Sequence, residues 1–180
     1  MSRAYPDDDS SAGLSLIELI IYVLLASVLL GAMATILINS WSTQKDVQTT
    51  NEATTRGQLI GQGIERAMRN AQAFEVSTDG TLLRIDTRLD GARRCQAFWM
   101  TGGAAYMTTS ATSLPAAITT DWPDPWQLGV VQNGTTRFFE QDGLTVAFTF
   151  DITTESAPVR FEGEAAMRTP ATGGTTPCWP

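Results

Sequence analysis

The residues that could do chemistry are few, and they exclude more than they offer. The chain has no histidine, so the commonest general base and the commonest metal ligand are both missing. Serines and threonines abound, but with no histidine and a single lysine, Lys45, none has an evident activator for nucleophilic attack. No P-loop, G-x-S-x-G elbow, metalloprotease helix or dinucleotide fingerprint occurs. The sequence therefore predicts no catalytic residue, no cofactor and no metal, and a protein that is not an enzyme. Two acid pairs, Asp86 with Asp90 and Asp121 with Asp124, have the oxygen donors that calcium takes; solvated loop carboxylates are the preferred reading. Asn133-Gly134-Thr135 fits a glycosylation acceptor and equally a bare hairpin turn, which is preferred. Trp122 and Trp126 flank a stiff Pro-Asp-Pro turn and read as turn packing before they read as a binding surface.

Two cysteines, Cys95 and Cys178, are too few for a structural zinc site. A single disulfide formed in an oxidising compartment fits them, with free thiols as the alternative. The bond would tie the tail to the sheet, a constraint of roughly 4 kcal/mol in the chain-entropy account.

Glu18 is the most informative acid. It stands at the edge of Leu19–Ile38, twenty residues without a charge, and the next charged residue is Lys45. Twenty helical residues span about 30 Å, the hydrocarbon thickness of a bilayer. A carboxylate there costs a few kcal/mol unless it is paired or reaches water, on the order given by insertion scales. A buried core helix is disfavoured, because a chain of this size can rarely surround so long an apolar cylinder. Cleavage as an ordinary secretory signal, after Ala32-Met33-Ala34, is disfavoured because the apolar run is too long. The segment before that run also sets only Arg3 against Asp7, Asp8 and Asp9.

The elements that must position these residues follow from periodicity. No proline interrupts the chain between Pro6 and Pro115. Beyond the apolar run, Trp41 suits a membrane interface. Ile60, Ile64, Ala67, Met68 and Ala71 form a stripe at helical spacing, and Glu52/Arg56 and Glu65/Arg69 are pairs four apart. Gly57, Gly61 and Gly63 mark a kink or a close packing surface. After Asn70 the period becomes two. Phe74–Val76, Leu82–Ile85 after an Asp79-Gly80 turn, Cys95–Met100, Leu128–Gln132, Thr136–Glu140, Leu144–Asp151 and Val159–Phe161 read as strands. Residues 101–120 are rich in Gly, Ala, Ser and Thr and read as a long loop. The net charge of −7, from 12 basic and 19 acidic residues, argues against a nucleic-acid partner.

The run Ala12-Gly13-Leu14-Ser15-Leu16-Ile17-Glu18-Leu19-Ile20-Ile21 resembles the signal sequence of type IV pilins and type II secretion pseudopilins. Leu14 stands where the family commonly has phenylalanine, and the leader is acidic instead of basic. The resemblance implies cleavage between Gly13 and Leu14 by a prepilin peptidase, and N-methylation of Leu14. It also implies that Glu18, then the fifth mature residue, pairs with the N-terminal amine of a neighbouring subunit. It places the N-terminus in the cytoplasm and the remaining domain outside, on a single-pass membrane protein that later joins a filament. The implied partners are sibling pilins or pseudopilins, an inner-membrane assembly platform, and membrane lipid before assembly. The stretches Arg56–Ile60 and Ile64–Ala71, followed by strands, resemble the J-type minor pseudopilin and W-type minor pilin group. The expected fold is α+β, a long N-terminal helix packed on a small antiparallel sheet. Its parts are a leader (1–13), a transmembrane half-helix (14–38), an extramembrane half-helix (39–71), a β-rich domain (72–168) and an irregular tail (169–180). A single-pass, membrane-anchored extracellular binding module is the alternative.

Overall fold

A computed structural model describes residues 15–89, 91–114, 122–168 and 178–179. The chain divides into two compact units, Met1–Lys45 and Asp46–Pro180. Helix α1 is Leu16–Arg69, ending two residues before the expected boundary at 71, where the chain turns directly into the first strand.

In the first unit, the side chains of Leu16, Ile17, Leu24, Leu25, Val28, Leu30 and Ile36 are exposed. Among the described residues, one helical stretch is long and apolar enough to cross a membrane; its mean hydropathy is 2.5 and it is unburied. Its few hydroxyls are satisfied internally: Ser27 donates to the Leu24 carbonyl and Thr35 to the Ala32 carbonyl, both at 2.8 Å. Lipid offers polar groups no partner, so a spanning helix must satisfy its own. The segment fits a single-pass membrane anchor.

In the second unit, the remaining turns of α1 bury one stripe, Ala53, Gly57, Ile60, Ile64, Ala67 and Met68. The three- and four-residue steps place these on one face of a helix. Nine strands follow among the described residues. They are β1 (Ala71–Val76), β2 (Leu82–Leu89), β3 (Ala92–Thr101), β4 (Ala104–Ser110), β5 (Gln127–Leu128), β6 (Val130–Val131), β7 (Phe139–Asp142), β8 (Thr145–Ile152) and β9 (Val159–Ala166). They form two antiparallel sheets where one was expected. The first runs β1-β2-β3-β4-β5. In the second, β8 pairs with β9 along its whole length, and with β7 and β6 at its two ends.

The expected loop over 101–120 is in part a strand. β4 pairs with β3 from Cys95↔Ser110 to Thr101↔Ala104. Its small residues hid the alternation, and it is held by cross-strand neighbours such as Tyr106 beside Trp99, stacked at 4.7 Å. Asn133-Gly134 does not close a hairpin either. The strands on its two sides, β6 and β7, both pair with β8 and not with each other. The Asp79-Gly80 turn does form: Gly80 has φ +71°, and the Ser77 amide donates to the Leu82 carbonyl at 2.8 Å. The Gly80 carbonyl in turn accepts from the Phe139 amide at 2.9 Å, joining the first hairpin to β7.

The core lies between the helix stripe and the inner sheet faces, where Leu83, Ile85, Phe98, Met100, Phe139, Val146, Phe148, Phe150 and Ile152 are buried. The helical glycines are close-packing sites. A Cβ at Gly57 would collide with the Phe161 ring, and one at Gly63 would lie 2.8 Å from the Trp126 ring.

Candidate functional site

Glu18 lies in the first turn of α1, where the helix dipole favours a negative charge. The Leu19 amide donates to the Ser15 carbonyl at 3.1 Å, closing that turn. Around Glu18, the side chains of Leu16, Ile17, Leu19, Ile20 and Ile21 are exposed and apolar. One turn on, the Tyr22 hydroxyl donates to Glu18 Oε1 at 2.8 Å. Among the described residues the second carboxylate oxygen has no partner. The arrangement holds an acid by one oxygen on an apolar surface and leaves the other open. Sequence reasoning missed Tyr22, although the i,i+4 spacing from Glu18 was its signal. Gly13 and Leu14, the expected cleavage and methylation positions, lie outside the described residues.

In the second unit, Cys95 and Cys178 are disulfide-bonded, with S–S 2.00 Å and both residues buried. The bond holds residues 178–179 against the first sheet, and the Leu114 amide donates to the Cys178 carbonyl at 2.8 Å. A small apolar cluster surrounds it: Leu82, Ala97 and Leu114, flanked by Trp99, Trp122 and Trp179. Trp122 meets Trp99 edge-on at 5.9 Å, whereas Trp126 packs toward the main core beside Phe98 at 6.1 Å. The two tryptophans of the Pro-Asp-Pro turn thus serve different clusters and make no common surface.

Asp86 is not a solvated loop carboxylate. It is 0 % exposed, and Arg93 donates to it from Nε at 3.0 and 3.1 Å and from Nη2 at 2.6 Å. The hydrogen bonds from Arg93 to Asp86 raise the guanidinium pKa above its ordinary value. Register explains the pair: Asp86 opposes Cys95 and Arg93 opposes Arg88, so Arg93 is the diagonal cross-strand neighbour of Asp86. With its oxygens taken by arginine, Asp86 is no calcium ligand. Asp90 and Asp121 lie outside the described residues. Among the described residues, no group of three acids or cysteines could hold a metal.

Two polar details complete the unit. Asp79 has its pKa lowered, chiefly by the Ser77 hydroxyl that donates to it and further by Thr81. Asn133 Nδ2 donates to Asp151 Oδ2 at 2.7 Å, so that amide already holds an internal partner. A shallow cleft of about 410 Å³ runs beside the helix, lined by Gly57, Gln58, Gly61, Gln62 and Glu65 with Phe148, Phe161 and Glu162. No family model, no curated protein and no solved structure matches the chain.

Proposed function

We propose that this chain is a pilin-type assembly subunit. A prepilin peptidase cuts it between Gly13 and Leu14, the new Leu14 amine is methylated, and the product joins a type IV pilus or a type II secretion pseudopilus as a minor component. Before assembly it is a single-pass membrane protein with a cytoplasmic N-terminus. Sibling subunits and the inner-membrane platform are its partners.

The observation that carries this reading is Glu18, a half-open carboxylate in the first turn of a helix whose next twenty residues, Leu19–Ile38, are apolar and uncharged. Removal of the leader creates a cation four residues away along the chain. On a neighbouring subunit that cation and Glu18 relieve each other's desolvation, since opposite charges attract strongly where water is scarce. The pairing fixes axial register between helices. A long helix followed by antiparallel sheets supports the same reading.

The test is the mass and N-terminal sequence of the native polypeptide. A methylated start at Leu14 is expected. A start at Met1, or near Thr35, overturns the proposal. Glu18→Ala is expected to remain processed and membrane-inserted but to fall out of sheared filaments. The cleft beside Gln58, Gln62 and Glu65 favours one alternative, a membrane-anchored binding module, for which the intact Met1 start is the expected result.

A further inference from the structure

Strand β9 is an open edge of the second sheet. Among the described residues it pairs only with β8, in a register unbroken from Thr145↔Ala166 to Ile152↔Val159. Amides in an antiparallel ladder point alternately to either side. The Met167 amide donates to the Leu144 carbonyl at 2.9 Å, so the backbones of Ala165, Gly163 and Phe161 also face β8. Thr149 of β8 agrees, since its amide donates the other way, to the Phe138 carbonyl at 3.0 Å. The amides and carbonyls of Arg160, Glu162 and Glu164 therefore point out of the sheet, and among the described residues they have no partner.

Edges are commonly blunted by a proline, a bulge, shortness or an inward-pointing charge. Over eight residues β9 has no proline and no bulge. Its charged side chains, Arg160, Glu162 and Glu164, are exposed, and the residues between them on the inward face, Phe161 and Gly163, are uncharged. β1, an edge of the first sheet, is by contrast bulged between Ala71 and Ala73.

A helical wall stands beside this edge. The cleft of about 410 Å³ has Gln58, Gln62 and Glu65 of α1 on one side and Phe148, Phe161 and Glu162 on the other. Its floor is aromatic because glycines make room for the rings. A Cβ at Gly163 would run into the Phe148 ring, as one at Gly57 would into Phe161. Gln58 and Gln62 are exposed and one helical turn apart. Neither side chain has a hydrogen bond among the described residues, so each offers both a donor and an acceptor.

We infer that β9 and the facing helix receive an extended segment of another protein as an added strand, one in which apolar residues alternate with lysine or arginine. An extended backbone is the occupant because it presents donors and acceptors at the two-residue spacing of Arg160, Glu162 and Glu164. Alternate side chains of that segment meet Phe148 and Phe161 on the inward face. The others lie beside Glu162 and Glu164, which favour a base. Arg160, the one base of β9, is committed to Asp151 at 3.5 Å and Glu162 at 3.7 Å, and Glu164 has no ion pair among the described residues. The β9 of a second copy is a poorer occupant: in antiparallel self-pairing about Gly163, Glu162 and Glu164 would oppose each other twice. The inference is independent of leader removal and goes beyond the assembly reading.

The test titrates the full-length chain in detergent with a fluorescent, end-blocked peptide of alternating valine and lysine, followed by anisotropy. Saturable binding is expected. Glu164→Pro removes one outward amide without breaking the β8 ladder, the one place a strand tolerates proline. It should weaken binding about tenfold, whereas Glu164→Gln, which keeps the amide, should weaken it no more than about threefold. The same peptide methylated at alternate backbone nitrogens should also bind the parent chain about tenfold more weakly, a comparison that does not depend on the proline variant folding. In hydrogen exchange the peptide should slow the Glu162 and Glu164 amides and leave those of Phe161 and Gly163, already bonded to β8, unchanged. No saturable binding, or binding indifferent to both the proline and the methylated backbone, overturns the strand addition. Equal binding of a peptide with glutamate in place of lysine overturns the choice of a basic segment. Protection of the Glu162 and Glu164 amides that rises with protein concentration, without peptide, makes a second copy the occupant and overturns the proposal too.

Discussion

Tyr22 reaches back one turn to Glu18 and donates its phenolic hydroxyl to Oε1 at 2.8 Å. The acid is therefore oriented within its own chain before any neighbour arrives, and its desolvation is partly met. A hydrogen bond to a charged group contributes about 1.5 kcal/mol, close to a tenfold preference for the held rotamer. Tyr22→Phe is expected to leave leader removal and membrane insertion intact while lowering filament incorporation. The loss should be smaller than for Glu18→Ala. Subunit content of sheared filaments, relative to total membrane subunit, is the measurement; equal incorporation of Tyr22→Phe and the parent would contradict the orienting role.

The helical glycines separate two outcomes of one chemical change. At Gly57 a methyl group would run into the Phe161 ring, whereas at Gly61 it would meet the Phe148 ring at 3.6 Å, an ordinary contact. Overpacking costs about 1–3 kcal/mol, and replacing a helical glycine by alanine gains about 0.8 kcal/mol. Gly57→Ala should lower the urea midpoint of the full chain in detergent, and Gly61→Ala should hold or raise it.

Removing either half of the Asp86–Arg93 pair should not cost the same. Arg93→Ala leaves a fully buried carboxylate without its guanidinium, at about 3 kcal/mol, the low end for a broken buried pair because Arg93 itself reaches solvent. Asp86→Ala removes the buried charge and lets Arg93 turn to water, so its effect should be smaller. Equilibrium unfolding of the two variants under oxidising conditions gives the comparison.

The Cys95–Cys178 bond closes a sequence separation of 83 residues. Paired Cys95→Ser and Cys178→Ser substitution should destabilise the folded unit by about 4.5 kcal/mol, the chain-entropy value for a loop of that length. Reductant should lower the stability of the parent and leave the serine variant unchanged.

Acid should expose the Ser77–Asp79 contact. The Ser77 hydroxyl holds the folded-state pKa of Asp79 below the ordinary aspartate value, so the unfolded chain takes up the proton first. The stabilisation is present above the unfolded pKa and is lost as pH falls through the folded one. Ser77→Ala should raise the Asp79 pKa, followed by carboxyl NMR. Its stability deficit should narrow below the ordinary carboxylate range.

The helical half of the molecule was legible because its signals are long: an uncharged apolar run, then a buried stripe at steps of three and four. β8 was legible for the same reason, with Val146, Phe148 and Phe150 all buried; Leu144, read as the first of that inner set, is 49 % exposed just before the strand begins. β4 was not legible, because Ala104, Ala105 and the threonines carry no contrast between faces and its pairing is set by Trp99 and its neighbours on β3. The place of Asp86 was hidden too. Composition shows an acid near a Gly turn, while only register shows that Arg93 covers it. The Asn-Gly turn misled because turn chemistry is local, and β8 offered both flanking strands a better partner than each other.

Gly129 gives the second unit a further property. With φ +80° it separates β5 from β6 by a single residue, so one short run of chain enters both sheets. Its amide donates to the Gly103 carbonyl at 2.8 Å, and its carbonyl accepts the Thr153 amide at 2.9 Å. Neither sheet can peel away without tearing that shared seam, so force applied to one is passed to the other. In hydrogen exchange the amides of Gly129 and Thr153 should open together, as a mechanical joint and not as a hinge.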